Sequence, residues 1–219
     1  MRPVRRGAEP DGMATYEEMR PALLTRLGRY CSYCEYPVKH VAHAEHILPK
    51  DRYRAHRNRW DNLLVACTYC NGHKGDERPT PATVDAHLWP ERDNTARAFT
   101  YENVHPRTQH LGEPAQSMAA RLYGLVRLSP TDDERAKERA SVFVIAKWFF
   151  AELQTVATPD LWRLAIVKYA LASGFFSVWM EIFATDPETR GALIAAFPGT
   201  ATDCFDAATA PVPRPGARL

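Results

Sequence analysis

The residues with the clearest chemical potential are four cysteines in two identically spaced pairs, Cys31 with Cys34 and Cys67 with Cys70. Each pair can present two thiolates to one metal ion, and four thiolates complete the tetrahedral coordination of a structural zinc site. Four buried cysteines with accidental spacing, or a thiol redox pair, are the alternatives, but two equal spacings favour Zn²⁺. The fifth cysteine, Cys204, stands alone near the end of the sequence and is predicted not to be a ligand.

The segment between the two cysteine pairs carries the second set of reactive residues. Its 32 residues exceed the spacing of common zinc ribbons. It contains adjacent Glu45 and His46, and Asn71 directly follows the second pair. Hydrolysis of a phosphodiester needs a base that activates water and a cation that neutralises charge on the phosphate. Imidazole suits the first task near neutral pH, and carboxylate and amide oxygens suit a hard ion such as Mg²⁺ or Mn²⁺. These three residues supply such groups.

The order C-x-x-C, [D/E]-H-I-x-P, N-L and C-x-x-C-N-x-x-K resembles the HNH endonuclease family, in which two strands and a helix surround one catalytic metal. The resemblance implies that His46 is the general base of DNA hydrolysis and that Glu45 and Asn71 bind the catalytic Mg²⁺ or Mn²⁺. It further implies that Asn62 pins the loop orienting His46, and that Lys74 contacts phosphate. Many members have Asp at the position of Glu45 and His at that of Asn71, so this sequence departs from the common family pattern at both ligand positions.

A narrower resemblance covers residues 1–80. The phrases MRPVRRGAEP, CSYCE, EHILPK and WDNLLVACTYCNGHKGDERP resemble the HNH nuclease subunit of Septu-type and retron-associated anti-phage systems. This implies a role in antiviral defence beside an ATPase partner. The C-terminal half carries no matching motif. The alternative is a zinc-dependent DNA- or protein-binding module with an inactive nuclease site, which the unusual Glu45 and the large helical half both motivate.

Basic residues are clustered although the net charge of +2 is too mild to indicate nucleic-acid binding by itself. The cluster lies between the proposed base and Asn62, which favours contact with a DNA backbone over a merely solvated loop. Arg2, Arg5 and Arg6 add positive charge at the start of the sequence. The predicted nucleic-acid-binding residues of the cluster are Lys50, Arg52, Arg54, Arg57 and Arg59.

Several other polar residues are given structural roles. His43 is expected to be an exposed loop residue, with support of the metal site as the alternative. His73 has the wrong offset for a family ligand. Asp61 and Asp76 are typical of turns and helix caps.

The elements that must position these residues follow from local pattern. Residues 15–27 predict a short helix that Pro21 interrupts or resets. A capping box at 131–134 opens a helix to about 154, Thr158-Pro159-Asp160 opens a second that ends near Gly174, and residues 185–188 open a third reaching about Phe197. The predicted fold class is α+β, predominantly α: a small zinc-stabilised ββα-metal module followed by a helical domain.

The predicted organisation has five parts. They are an N-terminal arm and helix (1–28), the HNH module (29–80), a loop-rich connection (81–116), a helical domain (117–200) and a flexible tail (201–219). Aromatic residues at helical spacing in the helical domain are expected to form its core, with a partner-binding face as the alternative. No apolar run reaches the ~18 residues of a membrane span, and no signal peptide is recognised. We expect a cytoplasmic protein whose thiols stay reduced.

Overall fold

The described residues, 1–75, 79–101, 104–129 and 133–219, form seven α-helices and two two-stranded antiparallel sheets in this computed structural model. The mixed, predominantly helical class predicted from the sequence is confirmed. In chain order the elements are α1 (Tyr16–Leu27), β1 (His43–His46), β2 (Leu63–Ala66), α2 (Thr68–His73), β3 (Phe99–Thr100), β4 (Arg107–Thr108), α3 (Ala115–Leu125), α4 (Glu134–Leu153), α5 (Pro159–Ser173), α6 (Phe176–Ile182) and α7 (Pro187–Ala196).

Helix α1 begins at a capping box. The Thr15 hydroxyl accepts a hydrogen bond from the Glu18 amide, and the Glu18 carboxylate accepts one from the Thr15 amide. The helix continues through Pro21, so the predicted interruption does not occur. Leu23 and Leu27 lie one turn apart on the buried face of α1, which packs against strands β1 and β2.

Strands β1 and β2 pair antiparallel, and α2 follows β2 directly. The register places Glu45 opposite Leu64 and His46 opposite Leu63. All four residues of β2 are buried, because one face of the hairpin is covered by α1 and α2 packs against β1. The two strands and the helix form the ββα arrangement expected from the resemblance.

The C-terminal half is built from α3 to α7. Helix α4 packs on α5 and α6, and α7 packs on α5 and α6. Its aromatic residues are mostly core, with Trp179 and Phe183 fully buried, whereas Trp148 is half exposed. Helix α6 was missed by sequence reasoning because residues 176–180 are all buried and therefore show no amphipathic period.

The start of α4 differs from its sequence-based description. The Asp133 carboxylate accepts a hydrogen bond from the Ala136 amide and is the N-cap. The capping box predicted at 131–134 is therefore replaced by a cap at Asp133, and residues 131 and 132 lie outside the described ranges.

The C-terminal tail, predicted to be flexible, packs against the loop that carries Asp93 and Asn94. The side-chain amide of Asn94 donates to the carbonyls of Cys204 and Val212, and Arg218 forms an ion pair with buried Asp93 at 2.7 Å. These contacts hold the tail because the loop carrying Asp93 and Asn94 offers it buried polar partners. Such partners are more than 100 residues away in sequence.

Two of the three N-terminal arginines are buried. Arg2 is buried and donates to the carbonyls of Leu27 and Pro198, at 2.8 and 2.7 Å. Arg6 is buried beside Glu91. Neither guanidinium is placed to meet a DNA backbone.

None of the helices in the described ranges has the length and apolarity that a membrane span requires.

Candidate active site

The four cysteines meet in one buried cluster. Their sulfur atoms all lie within 4.8 Å of one another, and Cys34 Sγ is 3.6 Å from Cys67 Sγ. Zinc–sulfur bonds of about 2.3 Å in a tetrahedron separate the sulfurs by about 3.8 Å, so the cluster has the size that a tetrahedral ion needs. Burial, with the neighbouring cysteines, raises the pKa of the Cys70 thiol well above its usual range. A cation bound at the cluster would favour the thiolate form of Cys70, which burial alone disfavours.

The second cysteine pair is formed by the start of α2. Cys67 is the N-cap of that helix, and its sulfur accepts a hydrogen bond from the Cys70 amide at 3.4 Å. Asn71 follows within the same turn. The cluster therefore fixes the position of α2 against β1, on which the other candidate residues lie.

His46 ends β1 with its ring almost covered. Its Nε2 lies 2.9 Å from the carbonyl oxygen of Arg57, and the Tyr16 ring packs edge-on at 4.7 Å between centroids. Because a carbonyl can only accept, Nε2 carries the proton in the neutral ring and Nδ1 keeps a free lone pair. Burial lowers the pKa of His46, and the Arg57 carbonyl partly offsets this. The imidazole is thus kept neutral and able to accept a proton.

Asn62 ties together both ends of the loop that follows His46. Its side chain accepts from the Leu48 amide at 2.7 Å and donates to the carbonyls of Leu48 and His56 at 2.9 and 3.0 Å. Its own carbonyl accepts from the Ile47 amide at 2.9 Å. The side chain is buried, so these bonds hold the loop in one geometry.

Glu45 is buried between two donors. The Tyr33 hydroxyl donates to its Oε2 at 2.5 Å, and the Lys74 ammonium forms an ion pair with Oε1. Lys74 also donates to the carbonyls of His46 and Ile47. The expected phosphate-binding lysine is therefore buried within the module, where it bonds the end of β1. Tyr33 was missed by sequence reasoning because nothing in its spacing marks it as a partner of Glu45.

One cavity of about 180 Å³ brings most of the predicted residues together. Glu45, His46, Asn71 and Lys74 line it, whereas Asn62 does not. A carboxylate has about four lone-pair sites, so Glu45 can accept from Tyr33 and Lys74 and still offer oxygen to the cavity. Carboxylate and amide oxygens fit a hard divalent cation such as Mg²⁺ or Mn²⁺. The cavity is also lined by Pro49, Lys50, Asp51 and Gly75.

Among the residues that the structure describes, two of the five cations of the basic segment form ion pairs and three do not. Arg57 lies 3.5 Å from Glu17, and Arg59 pairs with Asp61 at 2.5 Å. Lys50 donates to the Tyr16 hydroxyl at 2.5 Å and lines the cavity. The other two members, Arg52 and Arg54, are exposed, and Arg52 lies over the Tyr53 ring at 5.8 Å. Of the five cations, Lys50 lines the cavity and the four arginines do not.

The histidines and cysteine given structural roles lie away from the cavity lining. His43 opens β1 with Nε2 buried, so it is less exposed than its predicted loop role implies. His73 ends α2, and Cys204 is buried in the tail, where burial raises its thiol pKa to about 11. Asp61 lies in a 3₁₀ turn, and Asp76 falls outside the described ranges.

Comparison with known proteins finds similarity in the same part of the chain that holds the four cysteines and the cavity. Residues 31–77 match the sequence model of the HNH endonuclease family. The chain is also 42% identical over 72 residues to Septu protein PtuB of Bacillus thuringiensis, a stretch that covers 29% of this chain and 28% of that relative. The match thus spans less than a third of the relative's length. No solved structure matches significantly. Residues 31–77 therefore carry a domain of the HNH endonuclease family, and its described part contains the ββα arrangement and the four-cysteine cluster.

Proposed function

We propose that the chain is a divalent-metal-dependent endonuclease that hydrolyses phosphodiester bonds of DNA in the cytoplasm. The observation that carries the proposal is the state of His46. Its Nε2 is tied to the Arg57 carbonyl, and its ring lines the cavity shared with Glu45 and Asn71. A neutral, oriented imidazole beside oxygen donors is the arrangement that water activation requires.

In the proposed reaction His46 accepts a proton from water at Nδ1. The Arg57 carbonyl stabilises the imidazolium because Nε2–H continues to donate to it. Glu45 and Asn71 would hold a Mg²⁺ or Mn²⁺ ion, which would neutralise charge on the phosphate and the departing oxygen. Asn62 keeps the loop after His46 in place. The four cysteines would hold a Zn²⁺ ion that fixes α2 and, with it, Asn71. The exposed cations of the basic segment hold the DNA backbone.

The test is cleavage of supercoiled plasmid and of single-stranded DNA with Mg²⁺, Mn²⁺ or EDTA. We expect His46→Ala to lose cleavage while it stays folded and keeps its zinc, although its melting temperature should fall because a buried, hydrogen-bonded ring is removed. His40→Ala, at an exposed histidine, is the control and should cut normally. Wild-type cleavage by His46→Ala would rule out the role of His46 as base.

A second candidate function rests on the surroundings of Glu45. Both of its oxygens already accept from Tyr33 or Lys74. If these bonds exclude the metal, the domain is a zinc-dependent module that binds DNA or protein without cutting. Binding without product under any divalent ion would favour it, and reproducible cleavage that depends on His46 would exclude it.

The similarity to a Septu protein extends the proposal to anti-phage defence with an ATPase partner. The half-exposed Trp148 and the exposed Val144 lie one turn apart on α4 and offer apolar surface to such a partner. Co-purification with the product of a neighbouring ATPase gene tests this. A stable monomer with full cleavage activity on its own would contradict obligate control by the partner.

A further inference from the structure

A guanidinium from the helical half of the chain touches the four-cysteine cluster. Arg135, the second residue of α4, is fully buried, and its Nη1 donates to Cys70 Sγ at 3.2 Å. The same nitrogen lies 3.3 Å from the Val126 carbonyl, and Nη2 lies 3.3 Å from the Arg127 carbonyl. Arg135 therefore joins the end of α3, the start of α4 and the second cysteine pair.

The guanidinium is held in this position from two sides. The Asp133 carboxylate accepts from Nε at 2.8 Å and from Nη2 at 2.7 Å. The Tyr69 ring, between the two cysteines of the second pair, packs 5.3 Å from the guanidinium carbon. A planar fork bonded at Nε, Nη1 and Nη2 has little freedom to turn away from Cys70.

Charge explains why a buried cation belongs there. Four thiolates around a divalent zinc ion carry a net charge of −2, and all four cysteines are buried. A buried charge is costly unless an opposite charge or hydrogen-bond donor compensates it. Donation to a metal-bound sulfur stabilises the charge on that sulfur, as partners around metal ligands generally do.

We propose that Arg135 is an outer partner of the four-cysteine site that retains its metal, and that metal retention in the HNH domain therefore depends on the packing of α4. The proposal does not depend on DNA cleavage, and its test measures zinc. Arg135 is a positioning residue, since it contacts a ligand rather than the ion.

The chain provides a matched control one turn along α4. Arg139 is as deeply buried as Arg135, and its Nη2 donates to the Leu128 carbonyl at 3.3 Å. Its guanidinium carbon lies 5.6 Å from the centre of the Phe175 ring. Among the described residues, its guanidinium donates to no cysteine sulfur. Replacing it removes an equally buried guanidinium without removing a donor to the cluster.

The experiment measures zinc release from full-length, zinc-loaded protein to a chromogenic chelator, with thermal unfolding of each variant followed by circular dichroism. We expect Arg135→Met to weaken zinc retention by about 10–100-fold, the usual effect of removing a partner of a metal ligand. The zinc retention of Arg135→Lys should lie between those of wild type and Arg135→Met, because lysine keeps the positive charge but lacks the planar guanidinium. Arg139→Met should release zinc at close to the wild-type rate even where its melting temperature falls.

Three results would overturn the proposal. They are wild-type protein purified without zinc, equal zinc release by Arg135→Met and wild type, and equally fast release by Arg139→Met and Arg135→Met. If Arg135→Met does not fold, the proposal is tested with the lysine variants instead. The measurement is then the sulfur-to-cobalt charge-transfer band of Co²⁺-loaded protein. That band should shift in Arg135→Lys and stay unchanged in Arg139→Lys. No shift in Arg135→Lys would contradict a hydrogen bond to Cys70.

Discussion

Asn62→Ala removes the side chain that ties the loop after His46 to the start of β2. Three hydrogen bonds are lost, to the Leu48 amide, the Leu48 carbonyl and the His56 carbonyl. At about 1 kcal/mol net for each bond, the free energy of unfolding should fall by about 3 kcal/mol. For a protein of this size that corresponds to a melting temperature lower by about 6–12 °C.

The same substitution should impair cleavage beyond its effect on stability. His46 and the Arg57 carbonyl lie at two points of the loop that Asn62 closes, so loosening it misplaces the imidazole. A displacement near 1 Å costs catalysis about 10²-fold. The assay pairs thermal denaturation with plasmid cleavage well below the transition, and follows hydrogen exchange of the Ile47 and Leu48 amides.

Asn58→Ala is the control for this prediction. Asn58 is exposed in the same loop, and within the described part of the chain its side chain makes one hydrogen bond, accepted from the Tyr16 amide at 3.2 Å. Its loss should therefore cost under about 1 kcal/mol. The reasoning is refuted if Asn62→Ala matches Asn58→Ala in melting temperature and in the exchange rates of both amides.

Three further predictions follow from the site. Tyr33→Phe removes the hydroxyl that donates to buried Glu45 at 2.5 Å and should destabilise the protein by about 1.5–3 kcal/mol in urea denaturation; an unchanged midpoint would contradict that bond. Chelation of the zinc should unfold the HNH domain, because the four buried cysteines then lose the ion that organises them, and an unchanged circular dichroism melting curve would argue against a structural metal. Replacing Arg52 and Arg54 by glutamine should lower the slope of log affinity against log salt by up to about 1.8, measured by fluorescence anisotropy with duplex DNA. An unchanged slope would place both side chains in solvent.

Much of the local structure was predictable from neighbouring residues. The helix at 15–27 and the later helices near 134, 159 and 187 were expected, because caps and amphipathic spacing act within one or two turns. The ββα order was expected only from the family resemblance. The identity of the domain was also predictable from the order of Cys31, Glu45, His46 and Asn71. Helix α6 was not, since a segment buried on all sides has no polar face to mark its period.

The sequence by itself determined which chemical groups the site holds, since residue type and spacing alone define a four-thiolate cluster and a histidine beside oxygen donors. Only the tertiary structure decided what these groups contact. It buried Lys74 against Glu45 and placed Arg135 on Cys70, 65 residues away in sequence. Such pairs have no local signal, because they form only when separate elements pack and leave a buried charge that needs a partner.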